Sequence, residues 1–149
     1  MKLDLRIAPA LEELAHLSDQ LDRVLLAEGV SDERVGHARL IVEELVCNAI
    51  AHGEVAEGSQ LQVGLELSSA ALVLELQDCG QPFDPRGAPA PVLEADILQR
   101  PVGGLGLYLV HQLADHIDYG RLDGCNRIRA TLLDPFCASP PPPVPESPS

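Results

Sequence analysis

Leu40-Ile41-Val42-Glu43-Glu44-Leu45-Val46-Cys47-Asn48-Ala49-Ile50-Ala51-His52-Gly53 is the stretch that decides how this chain is read. Leu40, Ile41, Leu45 and Ala49, flanked by Val42 and Ile50, recur at i, i+3, i+4 spacing, the period of a helix with one apolar face. Asparagine is a poor helix former whose amide needs partners, so Asn48 inside such a run calls for a reason. Glu44 lies one turn earlier, about 40° around the helix and roughly 6 Å along it. A carboxylate and an amide oxygen therefore leave one rigid element in the same direction. Together they could hold a metal ion and accept a proton beside it. Glu43 lies about 140° from Asn48 and reads as solvated and dispensable. The plain alternative is a buried asparagine satisfied by backbone groups, and the segment alone does not choose.

Outward from this helix, expected over 31–52 with Ser31 as its cap, the chain divides cleanly. Residues 2–8 alternate and read as a strand. Residues 9–28 read as a helix with Pro9 near its first turn and Gly29 just past its end. Residues 60–67 and 71–77 both alternate around Ser68-Ser69-Ala70, the pattern of an antiparallel hairpin. Residues 80–103 are rich in Pro and Gly; a loop of that length in a small domain is usually functional. Residues 104–117 read as a helix, and 117–122 with 126–133 as a second hairpin around Asp123-Gly124. The order β-α-α-β-β-loop-α-β-β predicts an α+β fold: a two-layer sandwich, its sheet mostly antiparallel, with helices on one face. One domain is expected over 1–134. From Pro135 a Pro- and Ser-rich tail follows, of polyproline type and without a packed core.

The 149 residues suit one domain with a sizeable core. Aromatics are 3% and there is no Trp, so the core is aliphatic and stacking on nucleobases is disfavoured. A net charge of −13, with Lys2 as the single lysine, argues against nucleic acid and anionic membrane surfaces as partners. No apolar run approaches the ~20 residues of a membrane span, and the start is unlike a signal peptide. Cys47, Cys79, Cys125 and Cys137 are scattered without a Cys-x-x-Cys pair, which predicts reduced thiols in a cytoplasmic protein and no zinc site.

Two further clusters carry chemistry. Asp78-Cys79-Gly80-Gln81-Pro82-Phe83-Asp84 follows a strand directly. There Asp78 could accept from the exocyclic amine of adenine, and Gly80 would let a flat ligand approach the backbone. Gly103-Gly104-Leu105-Gly106-Leu107 opens a helix, where exposed N–H groups and the dipole favour phosphate. It is neither a Walker A sequence nor a dinucleotide fingerprint. Each cluster alone also fits a turn or a hinge.

Taken in order, from Leu3 to about Leu133, the chain resembles the GHKL ATPase/kinase superfamily with its Bergerat ATP-binding fold, and within it the anti-sigma-factor serine/threonine kinase group. Glu44-x-x-x-Asn48-Ala49-x-x-His52 is similar to the N box, Asp78-x-Gly80-x-x-Phe83-Asp84 to the first glycine box, and Arg100-Pro101-Val102-Gly103-Gly104-Leu105-Gly106-Leu107 to the second. Asn126-Arg127-x-Arg129-x-Thr131 is similar to the strand closing the family's nucleotide pocket.

The resemblance implies ATP and Mg²⁺ as cofactors. Asn48 would ligate Mg²⁺ and Glu44 would be the base for phosphoryl transfer to Ser or Thr. Asp78 would bind adenine, with Gly80 beside it and Thr131 supporting through water. Residues 84–102 would form the ATP lid, whose Arg86 and Arg100 could neutralise γ-phosphate charge or simply face solvent. Gly103, Gly104, Leu105, Gly106 and Leu107 would line the phosphates. The implied partners are a STAS-domain anti-anti-sigma protein and, alternately, a sigma factor; dimerisation is expected on the same ground. Leu105 between the glycines, the strong acidity and the Pro-rich tail depart from the family pattern. A rival reading is an ATP-binding regulatory module that signals without transferring phosphate.

Overall fold

A computed structural model describes residues 1–52, 59–82 and 104–136, with the side chains of residues 52 and 104–106 left out of the description. The elements in chain order are β1 (Lys2–Ile7), α1 (Leu11–Ala27), α2 (Asp32–His52), β2 (Leu61–Leu67), β3 (Ala71–Asp78), α3 (Gly104–Leu113), β4 (His116–Leu122) and β5 (Cys125–Leu133). The five strands form one sheet in the order β1-β2-β3-β5-β4, and every neighbouring pair is antiparallel. This is the expected α+β sandwich.

Local chemistry explains the boundaries. Gly29, at φ 88°, takes the left-handed conformation that ends α1, and Val30 N–H closes the turn on Leu25 O at 3.0 Å. Ser31 Oγ accepts the Arg34 N–H at 3.3 Å and so caps α2. Asp123 and Gly124, both at positive φ, make the tight turn between β4 and β5. Helix α3 stops at Leu113, short of the expected 117. Asp115 N–H instead bonds to Thr131 O at 2.8 Å, which commits the following residues to the sheet.

Alternate strand positions fill the core. Leu61, Val63, Leu65 and Leu67 of β2, Leu72, Leu74 and Leu76 of β3, and Ile128, Ala130 and Leu132 of β5 join Leu17, Leu21 and Leu25 of α1 and Ile41, Leu45 and Val46 of α2. The period of two from the sheet thus meets the period of 3.6 from the helices in one layer. On the sheet's other face Glu75 accepts from both Arg127 (3.2 Å) and Arg129 (2.7 Å). Pro135 is buried and its carbonyl takes the Ser31 N–H at 3.0 Å; residues 137–149 of the expected tail lie outside the described chain.

Candidate functional site

Antiparallel pairing brings the three sequence clusters to one end of the sandwich. Asp78 ends β3 directly opposite Asn126 near the start of β5. α2 lies over these strands, and α3 begins at Gly104 beside it. Leu45, Asn48, Ala49, Asp78, Gln81, Leu107, Asn126 and Ile128 enclose a cavity of about 10 Å³, room for roughly one water molecule.

Asp78 and Asn126 are 4% and 1% exposed, and buried polar groups of this kind persist only when bonded. Asn126 is the hub. Its Nδ2 donates to Asp78 Oδ1 (3.1 Å) and to Gln81 O (2.7 Å). Its Oδ1 accepts from Tyr119 Oη (2.6 Å) and Arg121 Nη1 (3.0 Å). Gly80 N–H also donates to Asp78 Oδ1 at 3.0 Å, and Arg121 reaches Gly80 O at 3.0 Å. Among the described residues, both bonds to the Asp78 side chain fall on one oxygen. The carboxylate is therefore held from one side and presented to the cavity from the other.

On α2, Asn48 is 6% exposed, and its Nδ2 has no hydrogen-bond partner among the described residues. A buried amide without a partner is costly, and its place on the cavity wall fits a ligand that would complete it. Glu44, one turn earlier, is half-buried, and its proton is held above the ordinary glutamate range, first by burial and then by the charge of Glu43. Among the described residues no cluster of three or more His, Cys, Asp or Glu could hold a metal. The Oδ1 of Asn48 could ligate Mg²⁺ that is shared with phosphate oxygens and water and not caged by carboxylates, while its Nδ2 would donate to an acceptor such as a phosphate oxygen or water.

Three expectations need correction. Thr131 pairs with Val73, five residues from Asp78 along β3, and shares strand parity with the outward Arg127 and Arg129. The residue beside Asp78 is Asn126, and a lone polar side chain among the inward positions Ile128, Ala130 and Leu132 was the available signal. Glu43 is not a solvated bystander. Its Oε1 accepts from the buried Ser18 Oγ (2.8 Å) and from Arg39 Nε (3.0 Å), and Arg39 Nη1 continues to Asp22 Oδ2 at 2.9 Å. Finally, Cys79 and Cys125, expected as reduced thiols, form a disulfide across 46 residues of sequence. The pairing of Asp78 with Asn126 places their neighbours opposite one another, a proximity invisible in linear spacing.

Cys47 is free, and burial followed by the charges of Glu44 and Glu43 pushes its thiol up. Gly104 opens α3 and Leu107 is buried on the cavity wall. The side chains of residues 105 and 106 are not described, and Gly103, Arg100, Arg86, Phe83 and Asp84 lie outside the described residues.

Residues 7–132 match the family model of the histidine kinase-like ATPase domain. Among solved structures, the RsbU and RsbW domains of Rv1364c from Mycobacterium tuberculosis resemble the chain with a TM-score of 0.64 at 16% identity, over 88% of this chain and 32% of that one. The chain thus spans about a third of that protein's length, and at this identity the likeness is one of fold. A search of curated proteins found no match. No helix among the described residues is long and apolar enough to cross a membrane.

Proposed function

The chain belongs to the histidine kinase-like ATPase domain family, and from that premise we propose that it is an ATP- and Mg²⁺-dependent serine/threonine protein kinase of the anti-sigma-factor type. The observation that carries this reading is the cavity wall itself: a buried Asp78 held, among the described residues, through one oxygen, and a buried Asn48 whose Nδ2 has no partner among them. In the proposed complex Asp78 accepts from the adenine amine, with Asn126, Gly80 and Gln81 fixing its orientation. Asn48 would hold Mg²⁺, which neutralises charge on the transferring phosphate. The N–H groups opening α3 from Gly104 meet the phosphates, and Glu44 takes the proton of the incoming hydroxyl. A cavity of about 10 Å³ admits a purine only if a wall shifts, and Leu107 on α3 and Gln81 after β3 are the walls outside the sheet and α2.

The substrate is proposed as a STAS-domain anti-anti-sigma protein, with a sigma factor held alternately, in the cytoplasm. Residues 1–134 form the ATP-binding domain in this reading, and the Pro/Ser-rich remainder a tail. These finer assignments rest on the resemblance of the sequence boxes. The rival is an ATP-binding regulatory module without phosphate transfer.

The test combines the full chain, γ-labelled ATP, Mg²⁺ and a STAS-domain protein. Label should reach the partner's Ser or Thr. Glu44→Gln should lower transfer by about 10²- to 10⁴-fold while ATP still binds. Asn48→Ala should abolish Mg²⁺-dependent ATP binding without lowering thermal stability, since it removes an unpartnered buried donor. ATP binding without transfer in the wild type would favour the regulatory module; no ATP binding would sink both readings.

A further inference from the structure

We propose that the Cys79–Cys125 disulfide is a redox-responsive clamp on the adenine end of the pocket, loosened when a dithiol reductant opens it. The inference rests on the ATP-site reading above. Cys79 follows the last residue of β3 and Cys125 is the first of β5. The two flank Asp78 and Asn126, which pair directly across the strands. Because side chains alternate along a strand, Asp78 and Asn126 point into the buried layer while the cysteines stand on the other side. Cys79 is exposed and Cys125 half-buried. The bond is thus reachable by a small thiol from solvent, yet fixes the backbone positions that aim the pocket's buried polar pair. It also closes a loop across 46 residues of sequence that contains the whole of α3.

The exchange balances with one dithiol. Its thiolate attacks the exposed Cys79 sulfur, the Cys79–Cys125 bond breaks, and Cys125 leaves as a thiolate that takes up a proton. The reductant's second thiol then displaces Cys79 from the mixed disulfide and closes a disulfide of its own. Two electrons and two protons pass from the dithiol to the cysteine pair. A small disulfide such as oxidised glutathione reverses the step.

Reduction leaves the noncovalent ties in place: Asn126 to Asp78 and Gln81, and Arg121 to Gly80. The pocket therefore persists in the reduced chain, less ordered at residues 79–82, and the effect is graded. Ordering this segment on binding lowers affinity, the usual consequence of lost preorganisation.

The experiment uses the full chain. Differential alkylation with peptide mapping first follows the thiols of Cys79 and Cys125 before and after dithiothreitol. MgATP affinity is then measured by calorimetry on the oxidised, reduced and reoxidised protein. The Kd should rise about three- to tenfold on reduction and return on reoxidation with oxidised glutathione. A Cys79→Ser/Cys125→Ser double variant should bind as the reduced protein does and ignore reductant. Equal affinities in the two states, or cysteines that remain alkylatable after oxidation, would overturn the clamp. If neither state binds ATP, the ATP-site reading fails by itself, and amide exchange at Gly80 decides the clamp. Faster exchange after reduction supports it, and unchanged exchange overturns it.

Discussion

Glu44 holds its proton more tightly than an ordinary glutamate because packing against α2's neighbours removes water from it and because Glu43 adds a like charge. A base must be deprotonated to act, so phosphate transfer should rise with pH through a value above the usual 4.5. A pH–rate profile of kcat checks this: an acid limb that coincides with an ordinary exposed glutamate would remove Glu44 from the role. Stability moves the other way. The folded state binds this proton more tightly than the unfolded chain, so Glu44's contribution falls as pH rises from 4.5 through the raised value. Glu44→Gln should remove that part of the slope while weakening catalysis. Activity and stability therefore pull against each other at one carboxylate, as expected where a charge is kept partly buried for chemistry.

The pairing of α1 with α2 turns on the residue next to Glu44. Glu43 accepts from Ser18, which is 1% exposed, and from Arg39, which also binds Asp22 of α1. Glu43→Ala would leave the Ser18 hydroxyl buried without its acceptor, a loss of about 1–3 kcal/mol. Ser18→Ala in the same chain should recover part of it, as measured by urea unfolding of all four members of the cycle. A neutral Glu43→Ala would mean that Ser18 turns to a carbonyl of its own helix. Glu43 also shows where sequence reasoning stops. Helical period separates it correctly from the Asn48 face, but period says nothing about what a second helix brings to the other side. The strands, helices and hairpins were legible because each carries its own period and its own turn residues, as Gly29 and Asp123-Gly124 do. The Asp78–Asn126 pair and the Cys79–Cys125 bond depend on the register of two strands far apart in sequence, which no local pattern encodes. The same register sets Thr131 opposite Val73 and Asn126 opposite Asp78.

At the scale of the whole molecule, a protein of net charge −13 is proposed to take up an anion. Among the described residues, several cations are turned elsewhere or engaged. Lys2, Arg6, Arg127 and Arg129 line the groove on the sheet's outer face, away from the cavity, and Arg127 and Arg129 are engaged with Glu75. Arg121, at the pocket rim, is bonded to Gly80 O and Asn126 Oδ1. The net charge of −13 makes the long-range field that an approaching MgATP meets repulsive, while Asn48 and the N–H groups opening α3 attract at contact. Salt separates the two ranges, because the screening length falls from about 30 Å at 0.01 M to about 8 Å at 0.15 M. Raising ionic strength over this interval should speed MgATP association and leave dissociation nearly unchanged, the reverse of the behaviour of a cationic nucleotide cleft. Stopped-flow with a fluorescent ATP analogue reads both rates. An association rate that falls with salt would mean that cations near the pocket govern approach and outweigh the net charge. The same measurement in Glu43→Gln, which removes one negative charge from α2 beside Glu44, should show faster association at low salt and convergence with wild type at high salt.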